Sequence, residues 1–361
     1  MAYTTIDDPS AHFQTKIYTG NGNDGQAYTF DGNSDMQPDL LWVKNRNNTG
    51  PYSGHIFDSS RGANKSFFPD DAAAEGTNSS YGYLGAFQSD GFTVTSGSSG
   101  DERVNNNNDL YVMWGWKANG GSRTTNTESG NNPAGGYQAN TTAGFSIVDY
   151  TGTGGAGTMA HGLGAVPHVI IVKNRSKGTD GEWNVYHHKN TSAPETDFLV
   201  LNTTAATSDA ANRWNDTAPT SSVFTIGDTV RVNEDADNYI AYCFTEKQGY
   251  SKFGKYTGNG NADGTFVYTG FKPAWVMVKE SAANTNDWNI YDIKRSIINP
   301  MDDILEANLS DAEGTGRADI DFLSNGFKQR NTHADSNRDG GGFIYMAFAE
   351  HPFVSSKGVP T

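Results

Sequence analysis

Short apolar runs separated by turn-forming residues recur along the whole chain. Residues 41–43, 170–172 and 275–278 are runs of aromatic and branched side chains, which are typical of β-strands. Their nearly continuous apolarity predicts central strands covered on both faces. Only segments 70–75 and 301–309 could form a helical turn or two, since no longer segment keeps a 3.6-residue period. The pattern therefore predicts an all-β protein.

Five sequence elements occur three times in the same order. The first is KIYTGNGNDG at 16–25, DYTGTGG at 149–155 and KYTGNGNADG at 255–264. The second follows a proline and is PDLLWVKNR at 38–46, PHVIIVKNR at 167–175 and PAWVMVK at 273–279. The others begin at 55, 183 and 288, at 91, 223 and 326, and at 109, 238 and 342. Such regular recurrence indicates a triplicated unit.

The repeats predict three tandem β-sandwich domains of the jelly-roll or lectin-like kind. We expect repeat 1 at 1–117, repeat 2 at 144–248 and repeat 3 at 249–361. Residues 118–143 have almost no apolar content and are predicted to be a polar Gly/Asn/Thr linker that tethers the first unit loosely. The junction between the second and third units is short and contains aromatic residues, so those two are expected to pack together. Separate sandwiches and one closed arrangement both remain open.

Composition and charge narrow the classes of partner. The net charge is −15, which disfavours nucleic-acid binding because phosphates would be repelled. The N-terminal residues lack a signal-peptide pattern, and no apolar run approaches the length of a membrane span. Cys243 is the only cysteine, so an intrachain disulfide is impossible and burial as a small apolar residue is expected.

The search for catalytic and metal-binding motifs gives one weak candidate. No nucleophile elbow, zinc-protease motif, phosphate loop or dinucleotide fingerprint is present, so we predict no catalytic residues and no enzyme. Asp335, Asn337 and Asp339 match the first half of a calcium-loop pattern, but the glutamate due eleven positions after Asp335 is Met346. A plain acidic turn explains the same residues. Calcium is therefore the only cofactor considered.

Aromatic side chains outside the repeated elements are the better binding candidates. The tryptophans of the repeated strands are expected to pack in the core. Trp214, Tyr81, Tyr83 and Tyr137 lie instead in turn-rich segments. Exposed rings flanked by amides and carboxylates can stack on a sugar and bond its hydroxyl groups, so these four are the predicted carbohydrate-binding residues. Recognition should lie in loops where the three copies differ.

The repeated motifs also carry a family resemblance. YTGNG at 18–22, PDLLWVKNR at 38–46, FDSSRG at 57–62 and AFAEHPF at 347–353 resemble a repeat family of virion and tail-fibre-like proteins from marine tailed phages. The resemblance implies a structural protein of the phage particle, made in the host cytoplasm, that contacts a host surface glycan and other virion proteins. It would form a homo-oligomer, plausibly a trimer. A capsid decoration protein and a jelly-roll glycan-degrading enzyme are the alternatives.

Overall fold

The computed structural model describes residues 4–47, 52–77, 79–98, 103–127, 129–282 and 285–351. Within these ranges the protein is all-β, which confirms the predicted class. Helical structure there is limited to two 3₁₀ turns and two short α-helices: Pro9–Ala11, Ser79–Tyr81, α1 (Ala211–Trp214) and α2 (Ala334–Asn337). The helical turns predicted at 70–75 and 301–309 are wrong, because residues 71–75 have no regular secondary structure and 305–306 is a strand.

The strands follow the repeated sequence elements. Unit 1 contains β1 (Phe13–Thr19), β2 (Gln26–Tyr28), β3 (Leu40–Asn45), β4 (His55–Asp58), β5 (Tyr83–Phe87), β6 (Phe92–Thr95) and β7 (Leu110–Trp116). Two strands follow, β8 (Thr124–Asn126) and β9 (Gly135–Asn140). Unit 2 contains β10 (Phe145–Thr151), β11 (Gly157–Ala160), β12 (Val169–Asn174), β13 (Trp183–His187), β14 (Asp197–Val200), β15 (Ser208–Asp209), β16 (Val223–Ile226) and β17 (Asn238–Phe244). Unit 3 contains β18 (Ser251–Thr257), β19 (Phe266–Tyr268), β20 (Trp275–Glu280), β21 (Asn289–Asp292), β22 (Leu305–Glu306), β23 (Ile320–Leu323), β24 (Gly326–Gln329) and β25 (Gly342–Phe348).

Each unit contributes one large antiparallel sheet with the same central strand order. The orders are β1-β7-β3-β4, β10-β17-β12-β13 and β18-β25-β20-β21, with further strands at the edges of the second and third sheets. A smaller sheet accompanies each one, namely β2-β6-β5, β11-β16 and β19-β24-β23. The opening and closing elements of each unit are therefore neighbours in space although about ninety residues separate them in sequence.

The two faces of each large sheet belong to different cores. On β3, Leu40 and Trp42 enter one large cluster that all three units share, whereas Leu41 and Val43 pack inside unit 1. The same alternation holds on β12 and β20, because successive strand residues point to opposite faces. The expected two-sided burial of these strands is thus confirmed. The three units form one closed arrangement around a shared apolar core.

The segment predicted as a linker takes part in this arrangement. Strands β8 and β9 lie within residues 118–143 and extend the sheet of unit 2 by pairing with β10. The Gln138 side chain, only 1% exposed, donates to the hydroxyl groups of Ser59 and Ser60 in unit 1. Polar side chains can thus form ordered edge strands when their partners are supplied by a neighbour. Unit 1 is not loosely tethered, since it contacts both other units.

A lysine at the end of the second repeated strand links each unit to the next. Lys44 Nζ donates to Glu306 O (2.6 Å) and Leu309 O (2.5 Å), Lys173 Nζ to Ala72 O and Ala73 O (both 2.8 Å), and Lys279 Nζ to Thr204 O (3.1 Å). Unit 1 thus reaches unit 3, unit 2 reaches unit 1 and unit 3 reaches unit 2. We call these the 1/3, 2/1 and 3/2 interfaces. Burial lowers the pKa of Lys173 to about 7 and those of the other two to about 8.

The backbone repeats the same cyclic pattern beside these lysines. Glu313 N donates to Arg46 O (2.8 Å), Glu75 N to Arg175 O (2.9 Å) and Thr207 N to Ser281 O (2.8 Å). At the 1/3 and 2/1 interfaces the glutamate side chain also binds two arginines, one from each unit. At the 3/2 interface Thr207 replaces the glutamate, and its Oγ1 donates a hydrogen bond to Asn190 Oδ1 (2.8 Å). Among the described residues, the 3/2 interface has no carboxylate bound by two arginines at this position, and its ion pair between units joins Lys252 to Glu246 (2.7 Å).

A tryptophan indole completes two of the interfaces and a lysine completes the third. Trp183 Nε1 donates to Phe68 O (2.9 Å) and Trp288 Nε1 to Val200 O (3.1 Å). Trp183 lies opposite Lys173 in the strand pairing, and continuing the unit 1 register by one residue beyond Val43 and His55 gives Gly54 as its counterpart. In the 1/3 interface Lys44 reaches Glu306 O, the matching carbonyl. The 1/3 interface has no indole to bind this carbonyl, and the lysine keeps it from being left without a hydrogen bond.

Candidate functional site

Trp214 is a core residue and not an exposed binding ring. Its side chain is 2% exposed, its Nε1 donates to Asp197 O (3.0 Å), and it meets the Tyr186 ring edge-on at 6.1 Å. A sugar cannot stack on a ring whose two faces are already covered by other parts of the protein. The prediction for Trp214 is therefore wrong, because helix α1 turns the ring inward to close the core of unit 2.

The three predicted tyrosines are half-buried; Tyr81 and Tyr83 lie in unit 1, and Tyr137 lies in β9. Tyr83 packs against the core of unit 1, and Tyr137 packs against the core of unit 2. Tyr81 is covered by the Arg103 guanidinium, whose carbon lies 4.3 Å from the ring centroid. The structure therefore does not bring these rings and Trp214 together on one face.

Two of the three predicted calcium residues, Asp335 and Asn337, are engaged in bonds within the protein, and Asp339 is exposed. Both carboxylate oxygens of Asp335 accept from Arg317 Nη2 at 2.8 and 2.9 Å. Asn337 is fully buried, and its Oδ1 accepts the Asn259 backbone N–H at 3.0 Å. Within the described residues, no three His, Cys, Asp or Glu side chains are grouped so as to hold a metal ion. The residues fit an internal turn clamp better than a calcium site.

Asn337 is the third copy of a structural asparagine. Asn105 Oδ1 accepts from Asn21 N, Asn233 Oδ1 from Thr153 N and Asn337 Oδ1 from Asn259 N, at 2.9–3.1 Å. In each unit this bond fixes the glycine-rich turn that follows the opening strand. The asparagine lies outside the five quoted elements, so its repetition escaped the motif comparison. The partial calcium pattern is a consequence of this repeated clamp.

The histidines at the 3/2 interface also have structural partners. His187 Nε2 lies 3.2 Å from Tyr345 O, and His188 Nε2 lies 2.7 Å from Phe253 O. Burial, aided by neighbouring charges, lowers the pKa of His187 to about 3 and that of His188 to about 4. Both rings are therefore neutral at physiological pH and connect unit 2 to unit 3.

Two cavities are candidate binding sites. The shared core contains a cavity of about 30 Å³, lined by apolar and aromatic side chains such as Trp42, Trp116 and Trp275. That volume holds no more than a few water molecules. A second cavity is an open cleft of about 510 Å³ in unit 2, within the usual range for small-molecule sites. This second cavity, the arginine cleft, is lined by Glu182, Phe198, Val200, Thr203, Thr204, Ala205, Arg213 and Arg231.

Arg213 is the most unusual group in the arginine cleft. It is 7% exposed, and its hydrogen bonds go to neutral amide oxygens, from Nε to Asn184 (3.0 Å) and from Nη1 to Asn212 (2.7 Å). Its guanidinium carbon lies 4.4 Å from the centroid of the half-buried Phe198 ring. Burial, followed by repulsion from Arg231, lowers the pKa of Arg213 to about 10. Among the described residues, no carboxylate forms an ion pair with Arg213.

Arg231 lies across the same cleft and is differently paired. Its Nε donates to a carboxylate oxygen of Glu182, and its Nη2 is 3.4 Å from Asp180 Oδ1. Its side chain is 27% exposed. The cleft wall therefore carries two arginines and one carboxylate, and Asp180 supplies Arg231 with a second carboxylate just outside the lining.

The arrangement offers a flat ring, hydroxyl groups and a guanidinium around one open volume. Phe198 can contact the apolar face of a ligand, while Arg213 can donate to oxygen atoms. Neither residue belongs to one of the five repeated elements. Arg213, in the NRW sequence at 212–214, could not be identified as a candidate binding residue from the sequence, because only the fold places it in the same cleft as Arg231.

The described residues contain no helix with the length and apolarity that crossing a membrane requires. The fold is an all-β scaffold with a ligand-sized cleft in one unit. Comparison with family models matches residues 8–352 to a family described as a domain of unknown function, DUF7483. The chain belongs to that family. No curated protein and no solved structure matches it.

Proposed function

We propose that this protein is a non-enzymatic structural component of a bacteriophage particle that binds a glycan on the host surface. The observation that carries the binding role is the arginine cleft, because its volume, ring and donors suit a sugar unit. The phage assignment is supported by the repeated motifs that resemble marine tailed-phage proteins. A tail fibre or spike is the favoured position in the particle.

We further propose that the three units are copies of one β-sandwich module of the jelly-roll or lectin-like kind. The matching strand orders and the cyclic lysine bonds support this relation. A module of this kind would supply a rigid frame on which loops vary. The frame explains why the cleft occurs in a loop region of one unit.

The adhesin proposal is tested by adsorption. Fluorescently labelled protein should bind host cells, and an excess of unlabelled protein should reduce phage adsorption. An Arg231→Gln variant should bind less than wild type, while Arg330→Gln, a partly exposed arginine paired with Asp321 in unit 3, should bind equally. Failure of the wild-type protein to bind cells or to compete with phage would refute the adhesin role.

A capsid decoration protein is the second candidate, because one surface feature favours a protein partner. Ile297 and Ile298 are adjacent and 83% and 74% exposed. Such a pair at a loop tip is suited to insertion into an apolar pocket of another virion protein. Binding to empty capsids that is lost in an Ile297→Ser/Ile298→Ser double variant would support this candidate over the adhesin.

The fibre or spike proposal includes a homo-oligomer, plausibly a trimer. Light scattering of the purified protein measures this directly. A mass of three times the 38.9 kDa chain is expected for the trimer.

A further inference from the structure

We infer that the arginine cleft binds the oxyanion of an acidic sugar, either a carboxylate or a sulfate ester, with Arg213 as the anchoring residue. The inference rests on the proposed glycan-binding function and specifies the chemistry of the ligand. It begins from a buried cation with which no carboxylate among the described residues forms an ion pair.

A buried guanidinium normally has a carboxylate partner. The other deeply buried arginines in the described chain follow this rule, since Arg61 pairs with Asp58 and Arg295 with Asp292. Arg213 instead bonds to two amide oxygens. These partners orient the guanidinium without neutralising it, and they leave its Nη2 group without a hydrogen bond among the described residues.

The second arginine adds repulsion, although its own charge is paired with Glu182 and Asp180. Arg231 repels Arg213 and lowers its pKa, and the charge of Glu182 offsets this repulsion only in part. Glu182, the one carboxylate among the residues lining the cleft, is itself bonded to Arg231. An oxyanion placed between the two guanidinium groups would relieve this repulsion. Arginine suits the task because its planar group donates two parallel hydrogen bonds to a carboxylate or sulfate.

The remaining wall explains why the anion would be carried by a sugar. The Phe198 ring is held in place by the Arg213 guanidinium at 4.4 Å, and its half-buried position leaves part of it toward the cleft. The hydroxyl-bearing Thr203 and Thr204 line the same volume. Small inorganic anions would use only the arginines, whereas an acidic sugar would also use the ring and the hydroxyl groups.

Calorimetric titration of the full-length protein with four methyl glycosides tests the inference. Methyl glucuronide and a sulfated methyl galactoside carry the two oxyanions, and methyl glucoside and methyl galactoside are their neutral counterparts. We expect at least one acidic glycoside to bind about 10- to 100-fold more tightly than its neutral counterpart, as charge-assisted bonds allow. The preference should weaken as salt is raised.

Two variants connect the preference to the cleft. Arg213→Gln should lose the acidic preference, and Arg231→Gln, at a more exposed position, should reduce it with less risk to folding. Arg330→Gln should leave it unchanged. If Arg213→Gln fails to fold, the Arg231→Gln titration and protection of the cleft from arginine-modifying phenylglyoxal by the acidic glycoside still decide the question.

The outcomes separate the two proposals. Equal binding of acidic and neutral glycosides, unaffected by either cleft variant, would overturn the oxyanion assignment and leave glycan binding intact. Binding of inorganic sulfate without any glycoside would support an anion site and contradict the glycan function. No binding of sulfate or any glycoside by the wild-type protein, at millimolar ligand, would overturn both.

Discussion

Replacing Glu75 by glutamine should weaken the 2/1 interface strongly. Glu75 accepts from Arg175 Nε (3.0 Å) and Nη2 (3.1 Å), and from Arg61 Nη1 at 3.4 Å. The Arg61 side chain is fully buried, whereas Arg175 is 24% exposed. Glutamine keeps the size of the side chain but removes its charge, so the substitution tests the ionic network and not the packing.

The size of the effect follows from these exposures. Removing one partner of a buried ion pair costs about 3–5 kcal/mol, and partly exposed pairs contribute about 1 kcal/mol or less. Because Arg61 retains Asp58 and Arg175 is partly solvated, we expect a loss of about 2–4 kcal/mol. Thr207→Val is the matched control, since it removes one neutral hydroxyl bond to Asn190 and should cost about 1 kcal/mol.

The assay combines urea unfolding with labelling of a thiol. Cys243 is fully buried in β17, and burial raises the pKa of its thiol, so it should react only when unit 2 opens. Glu75→Gln should lower the unfolding free energy. It should also speed Cys243 labelling by the fold-change that corresponds to this free-energy loss. A loss below about 0.5 kcal/mol, or a Thr207→Val loss as large as that of Glu75→Gln, would refute the assignment of the network.

Three further predictions concern stability and pH. His187 and His188 are neutral in the folded protein, so stability should be unaffected by their protonation above pH 6.5. It should fall as the pH drops from 6.5 toward about 4 and then 3, because the unfolded chain binds these protons first. Urea midpoints measured across this range test the prediction, and a flat profile would contradict the assigned neutral state. Trp214→Ala should cost about 3–5 kcal/mol in thermal or urea unfolding, and a variant of wild-type stability that only loses sugar binding would show that the ring is a ligand contact. EGTA should leave the melting temperature unchanged, whereas Asn337→Ala should lower it by removing a buried turn clamp; a fall on EGTA treatment would instead indicate a calcium site.

Much of the fold could be predicted from the sequence, because local patterns determine strands. The apolar runs at 41–43 and 170–172 become central strands with two covered faces, and Cys243 is buried as expected. The linker prediction for 118–143 failed because β9 is held by polar contacts such as those of Gln138 with unit 1, which are not encoded in apolar periodicity. Partners distant in sequence determine such a strand.

The candidate site was much less predictable than the fold. An aromatic residue in a turn-rich segment can point outward or inward, and Trp214 points inward because α1 closes the core of unit 2. Arg213 is its neighbour in sequence, and the same helix places it in the cleft. Neither the burial of Arg213 nor its lack of a carboxylate partner among the described residues can be read from its sequence surroundings, since both depend on Asn184 and Phe198.

The cyclic lysine bonds have a consequence for how binding surfaces can evolve. The 1/3 interface joins units distant in the chain, yet it shares the lysine bonds to backbone carbonyls and the backbone bond of the glutamate with the 2/1 interface. Three identical separate chains could close such a ring too, but every loop would then appear three times. A single chain lets each unit change its loops independently. One unit can then acquire a ligand cleft while all three keep the bonds that close the ring. A ring of three separate chains would have three identical binding sites and could bind with avidity. The covalently linked ring gives up this avidity for asymmetry, and each chain would bind one ligand.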